Sequence, residues 1–326
     1  MKAIVCEKYG PPSELILKEI PSLTPGEKEV VISVKACSLN FPDTLIIQGK
    51  YQYKPALPFT PGSDIAGEIK SVGAAVKHLK VGDKVFGFVS NGGFAEEVLA
   101  PAKNVFPKPP KMDNAIGASF LMAYGTSYHA LKNRAQLKAG ETLVVLGASG
   151  GVGLAAVELG KQMGAKVIAC ASTDEKIAFC KSYGADEGIN YSKEDLKQRI
   201  KELTNGKGAD VIYDPIGDRF SEPALRAIAW EGRFLVVGFA AGEIAKIPLN
   251  LALLKGCQIV GVFWGSWAMQ FPSENMQNTK ELMQWHSEGK LKPHIHGQFP
   301  LKDAHKAMEL MMERKVMGKI VIDCSQ

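Results

Sequence analysis

The chain has few cysteines, no block of basic charge and no uninterrupted hydrophobic run, and each shortage narrows what it can do. Its six cysteines, Cys6, Cys37, Cys170, Cys180, Cys257 and Cys324, form no CxxC pair. They lie mostly in apolar runs, where a free thiol behaves as a small hydrophobe. A disulfide scaffold is not expected, and the N-terminus MKAIVCEKYG reads as a strand and turn rather than a secretory leader, so a reduced, cytoplasmic setting is expected. The longest charge-free stretches, 114–131 and 256–273, are broken by glycine and polar residues, so neither is expected to span a membrane. Lys plus Arg number 39 and Asp plus Glu 34, a formal charge of +5 with no cluster. Nucleic acid and membrane surfaces are therefore not expected as partners. His294 and His296 form an isolated HxH, with no Cys or third His nearby, while His78, His129, His286 and His305 are scattered. No metal site is expected from such a set.

What is present is enough apolar sequence for two cored domains. The chain has 326 residues, 46% of them hydrophobic and 22% charged, so it needs no disulfide or metal to fold. The first third is a series of short β-branched runs (AIVCEKYG, LILKEI, EVVISVKACSL, DIAGEIKSV, DKVFGFV) punctuated by glycine and proline, among them Pro55, Pro58 and Pro61. This pattern predicts an all-β or barrel-like unit. Near residue 122 the character changes to strand–helix alternation: TLVVLGA, KVIACA, DEGINY, ADVIYDP, GRFLVVGF and CQIVGVFWG as strands. VGLAAVELGKQMG, DEKIAFCKSYG, KEDLKQRIKELT and FSEPALRAIAW read as the helices between them. Six nearly all-apolar strands in that alternation predict a doubly wound parallel sheet. The segment from 264 onward, too short to fold alone, is expected to return to the first unit. The expected domains are thus 1–122 plus 264–326, and an inserted 123–263.

GASGGVG at 147–153 carries the strongest chemical signal. Read as Ala148-x-Gly150-x-x-Gly153, it is a variant of GxGxxG, and it follows a strand and opens a helix. Gly150 lets the backbone approach a pyrophosphate, Gly153 lets the helix pack on the sheet, and the helix N-terminus faces the phosphates. The bland alternative is a tight glycine turn with no ligand. The second strand ends in Ala171-Ser172, where an NAD site usually places a carboxylate. Ser172 with Lys176 one helical turn on favours NADPH, whose 2′-phosphate a carboxylate would repel. The alternative is that Asp174 caps the helix and Lys176 is a solvated charge. Tyr191 is placed to pack at the adenine-ribose end, or is half-buried structure. Asp43 and Asp64 are candidate pocket carboxylates, or satisfied turn and strand residues.

These residues resemble a known family. NFPD at 40–43, PGSDIAGEI at 61–69, VGDKVFGF at 81–88, the run 141–161, DPIG at 214–217, GRFLVVGFAAG at 232–242, VGVFWG at 260–265 and GKIVI at 318–322 occur in that order. The ordered set resembles a zinc-independent medium-chain dehydrogenase/reductase of the quinone oxidoreductase (zeta-crystallin-like) group. Zinc-dependent members of the superfamily carry Cys where Asn40 stands and His-Glu where Ser63-Asp64 stands. The resemblance implies a Rossmann domain inserted in a GroES-like β-barrel domain, and homodimers or homotetramers joined near Ile259–Trp264. It implies cofactor contacts at Thr126, at Gly150, Gly151, Val152 and Gly153, at Ser172, Lys176 and Tyr191, at Phe239, Gly242, Phe263, Trp264 and Gly265, and at Lys319. On the catalytic side it implies Asn40, Asp43 and Tyr51, with Leu45 replacing a Tyr that several relatives have. The expected reaction is hydride transfer from NADPH to a quinone or α,β-unsaturated carbonyl, with Asn40 and Tyr51 as donors to the developing oxyanion. Three alternatives remain open: reduction of an acryloyl-CoA-type thioester, a non-catalytic NADPH-binding role of the crystallin or RNA-binding kind, and oxidation of an alcohol, against which the missing metal ligands count.

Overall fold

The β-branched runs of the first third become the strands of one mixed sheet. In the computed structural model, which describes residues 1–325, its centre is the strand Glu29–Leu39. Most of that strand is buried, so its sequence reads as a continuous apolar run rather than an alternation. It pairs antiparallel with Asp64–Val72, Glu97–Pro101 and Lys319–Asp323. Lys84–Phe88 and Val105–Pro107 extend one side, and Ile295–Pro300 lies parallel to Lys319–Asp323 on the other. Ile32, Leu39, Ile65, Phe94 and Ile322 belong to the core against this sheet. The C-terminal strand is therefore an inner strand of a sheet begun near the N-terminus.

The alternating middle of the chain becomes a six-stranded, all-parallel sheet. In space its strands run Glu187–Asn190, Lys166–Ala171, Thr142–Leu146, Ala209–Asp214, Ile228–Val236 and Gln258–Gly261. Numbered along the chain, that order is 3-2-1-4-5-6, the doubly wound dinucleotide arrangement. Helices on the faces bury the sheet, and every residue of Ala209–Asp214 is buried. The order reverses beside Thr142–Leu146, and ligands of such sheets bind beyond the carboxyl ends of the strands at that reversal.

Residue contacts divide the chain into Met1–Met122 together with the segment from Pro293 onward, and Ala123–Lys292. The return to the first unit thus starts at Pro293 rather than at 264. The reason is the helix Pro272–Ser287, whose polar face is bound inside the second unit. Asn278 donates to Asn133 at 2.8 Å, and the Tyr128 hydroxyl donates to Glu281 at 2.7 Å. The helix expected over 220–230 also ends early, at Arg226. From Ile228 the chain is strand, with buried Ile228 opposite Ala209, while Trp230 is exposed. Among the described residues, no helix is long and apolar enough to cross a membrane.

Candidate active site

The glycine turn forms where the sequence places it. The strand Thr142–Leu146 runs into a turn, and the helix Gly151–Gln162 follows with Gly150 as its N-cap. A Cβ on Gly153 would stand 2.3 Å from the Gly147 carbonyl oxygen and 2.9 Å from the Ala148 Cα. Packing of helix on strand therefore demands glycine there. Gly150 differs: a Cβ on it would meet only the Gly147 oxygen, at an ordinary 3.5 Å. The protein's own packing leaves the space over Gly150 open, as a pyrophosphate cradle requires. The helix N-terminus adds N–H groups without intrahelical partners and a partial positive charge. Gly151, Val152 and Gly153 form its first turn. The turn is pinned from beneath by Ser127, whose hydroxyl donates to the Val152 carbonyl at 2.8 Å and lies 2.8 Å from the buried Tyr213 hydroxyl. Ser127 carries no sequence signal beyond its neighbour Thr126, which lies in the short helical turn Thr126–Tyr128.

At the end of the second strand of this sheet, the expected pair is brought together. The Lys176 ammonium lies 3.4 Å from the Ser172 hydroxyl. The helix cap is Thr173, whose Oγ1 accepts from the Lys176 N–H, so Asp174 is not the cap. Asp174 instead binds Asn190 and Lys193, each at 2.6 Å. Lys193 and Asn190 therefore add polar groups at this end that sequence reading missed. The Tyr191 ring packs on Phe220 with centroids 4.4 Å apart.

The residues expected near the nicotinamide divide. Phe239 and Phe263 are exposed, and Gly265 has open space over its Cα. Gly242 has a φ of +121°, a conformation suited to glycine. Trp264 turns its side chain inward: it is buried, donates from Nε1 to Asn275 at 3.0 Å, and lies over Gly125, where a Cβ would come within 2.9 Å of its ring.

In the first unit, Asn40 stands between the strand Glu29–Leu39 and the helix Phe41–Ile46. Its N–H donates to the Asp43 carboxylate at 2.7 Å, which ties Asp43 into the helix start. Among the buried polar residues here are Asn40, Asp43, Asp64 and Lys319. Lys319 Nζ donates to Asn40 Oδ1 and, at 3.2 Å, to the Leu39 carbonyl. Asp64 accepts from the Met122 N–H at 3.1 Å. Tyr51 is half-buried against the same core. Lys319 was expected as a cofactor contact; both of these hydrogen bonds instead go to the first unit's own chain.

Burial disfavours charge here, and neighbours partly restore it. It pushes the Asp64 carboxyl up to about 7, against the Lys319 charge and the Met122 N–H, with Asp43 pushing further upward. Burial likewise raises Asp43 to about 6, opposed by the Asn40 N–H and Lys319. The Lys319 ammonium is pulled down by burial and held up by Asp64 and Asp43. Both folded values for the carboxyls exceed the unfolded value of about 3.9, so the native state binds more protons in that range. Their contribution is fully present below about pH 3.9 and is lost as pH rises through about 6–7. Asp64→Asn, which keeps an acceptor for Met122, is expected to flatten this fall. Between pH 4 and pH 8 the wild type should lose on the order of 3 kcal/mol relative to the variant, measured by denaturant midpoints. Parallel pH profiles would refute the assignment.

Among the described residues, no three His, Cys, Asp or Glu side chains are grouped to hold a metal ion. The donor set around Asn40 does not fit one either, because a lysine ammonium lies bonded to the carboxamide oxygen.

Residues 26–110 match the alcohol dehydrogenase GroES-like domain family, and 151–285 match the zinc-binding dehydrogenase family. A quinone oxidoreductase-like protein 2 homolog from Nematostella vectensis is 38% identical, covering 100% of this chain and 89% of that one. The chain belongs to the quinone oxidoreductase family of medium-chain dehydrogenases/reductases. That family's architecture is the one described above, a doubly wound sheet inserted in a GroES-like unit. Escherichia coli quinone oxidoreductase, solved in complex with NADPH, superimposes with a TM-score of 0.93 at 30% identity, covering 99% of this chain and 100% of that one. The CurK enoyl reductase superimposes with a TM-score of 0.90 at 27% identity, covering 99% and 98%. As a member of the quinone oxidoreductase family, the chain is an oxidoreductase.

Proposed function

We propose that this quinone oxidoreductase family member is an NADPH-dependent reductase of quinones or α,β-unsaturated carbonyls that works without a metal ion. The observation that carries the reading is the open face of Gly150 at the start of Gly151–Gln162, one strand away from the Ser172–Lys176 pair. The turn and helix N-terminus would hold the diphosphate, and Ser172 and Lys176 the 2′-phosphate. NADPH would supply the hydride. That chemistry needs no covalent nucleophile from the protein, only orientation, exclusion of water and donors for the developing oxyanion. Asn40 and Tyr51 are the donors proposed from the first unit, with Asp43 fixing the Asn40 backbone. Burial and the nearby Asp43 charge raise the Tyr51 phenol, which therefore stays protonated as a donor at neutral pH. The exposed Ile259 on the edge strand Gln258–Gly261 supports self-association along that edge.

The test is loss of NADPH absorbance with a panel of quinones and enones, in the presence of a chelator. Turnover of at least one acceptor is expected, and Asn40→Ala should lower kcat by about 10- to 100-fold. Tight NADPH binding with no turnover on any acceptor would instead favour a non-catalytic binding protein. The likeness to CurK enoyl reductase supports enoyl thioesters as a second acceptor class, and the panel includes one.

A further inference from the structure

Lys319 and Asn40 are far apart in the sequence, yet the fold joins them in a buried, charge-assisted hydrogen bond. The joining is a matter of register. The strand Lys319–Asp323 lies antiparallel to Glu29–Leu39 with Ile320 opposite Leu39. Lys319, which begins its strand, thereby comes beside Asn40, the residue just past the end of the other. The backbone fixes the lysine from the other side as well. Its N–H donates to the His294 carbonyl at 2.9 Å, and Gly318 before it has a φ of +72° with that same carbonyl 2.5 Å from where a Cβ would be. With the backbone fixed in this way, the side chain carries its ammonium to Asn40 Oδ1 and the Leu39 carbonyl.

An ammonium carries three donors and no acceptor. It can face only the oxygen of a carboxamide, since turning the amide would set NH₂ against NH₃⁺. Lys319 therefore determines which end of the Asn40 side chain points where. The NH₂ end is directed away from Lys319, with one N–H drawn toward Asp64 and a long 3.4 Å contact to the Ser38 carbonyl. That contact is well beyond the usual N–H···O distance of about 2.9–3.0 Å, so this donor is weakly engaged. A cation on the oxygen also polarises the amide and strengthens its N–H groups as donors. The cost of burying the ammonium is offset in part by Asp64 and Asp43, whose charges lie close enough to favour it.

We propose that Lys319 is a positioning residue: it holds the Asn40 carboxamide with Oδ1 inward, so that the weakly engaged N–H is presented to the acceptor's oxygen. The proposal rests on the reading of Asn40 as an oxyanion donor given above. It assigns the ammonium a role in hydride-acceptor turnover and none in cofactor affinity.

A double-mutant cycle in the intact protein tests it. Lys319→Met keeps the side chain's length and removes the donor; Lys319→Gln keeps an N–H donor without charge. Lys319→Met is expected to lower kcat about 10- to 100-fold on the acceptor that the panel identifies, with the NADPH dissociation constant within about twofold of wild type. Lys319→Gln should recover part of that loss. In an Asn40→Ala background, Lys319→Met should cost less than about threefold more, because the amide it positions is gone. Losses that multiply in the double variant, or a large loss of NADPH affinity, would overturn the proposal. Should Lys319→Met fail to fold, the same cycle run with Lys319→Gln decides the question, a smaller but still non-additive loss being expected. Full turnover by Asn40→Ala would remove the donor reading itself. Loss in Asn40→Ala with full turnover in Lys319→Met would remove only the role of Lys319.

Discussion

Gly153→Val is expected to abolish nucleotide binding and to destabilise the protein, while Gly150→Ala should affect binding alone. The two glycines stand three residues apart in one turn, but the structure gives them different duties. At Gly153 any Cβ collides with backbone, 2.3 Å from the Gly147 oxygen, and backbone in a packed strand–helix turn cannot give way. The helix Gly151–Gln162 would have to lift from the sheet, at a cost of about 3 kcal/mol, and its N-terminus would leave the phosphate position. At Gly150 the backbone is extended, with φ −80° and ψ 173°, and a Cβ has room. Alanine there should leave the denaturant midpoint within about 0.5 kcal/mol of wild type. It should weaken NADPH on the order of 100-fold, because the methyl occupies the space through which a pyrophosphate would approach. Titration of NADPH by fluorescence, with chemical denaturation of each variant, reads both effects. A Gly150→Ala protein that binds NADPH as tightly as wild type would remove the turn from the binding site.

Lys176→Glu is expected to exchange the cofactor preference. The ammonium lies beside the Ser172 hydroxyl at the end of the second strand, and no carboxylate follows Ala171 directly. A 2′-phosphate bound there would make charge-assisted hydrogen bonds to both groups. Reversing the charge replaces attraction with repulsion, so NADPH should bind on the order of 100-fold more weakly. NADH carries no 2′-phosphate, and its affinity should stay within about threefold or rise, since a Glu is able to accept from the ribose hydroxyl. The nearby Lys193 is already paired with Asp174 and so compensates only in part. Equal losses for both nucleotides would mean that Lys176 supports the fold here rather than reading the phosphate.

Where the sequence was legible, the signal was local. Strand–turn–helix at 141–162 follows from an apolar run, a glycine turn and helical spacing within about twenty residues. The missing carboxylate at Ser172 is a fact about one position next to that unit. Elsewhere local patterns misled or fell silent. Ala227–Trp230 continues a plausible helical run, but buried Ile228 pairs with Ala209, and strand pairing prevails. The helix Pro272–Ser287 has no marker of ownership, and its place in the second unit follows from Asn278 and Glu281 meeting partners more than 140 residues away. Asp43 is both a turn carboxylate and a member of the buried polar cluster, so the two readings open from sequence were not exclusive.

Taken alone, the amino-acid order determined the doubly wound parallel sheet, the glycine turn and the carboxylate-free end of its second strand, because periodicity and turn chemistry act over a few residues. Tertiary structure alone decided that Lys319 meets Asn40, that Asp64 shares their burial, and that Trp264 packs inward on Gly125. Those outcomes depend on strand register and on which faces are buried together, and a buried charge takes its properties from neighbours that the chain brings from afar.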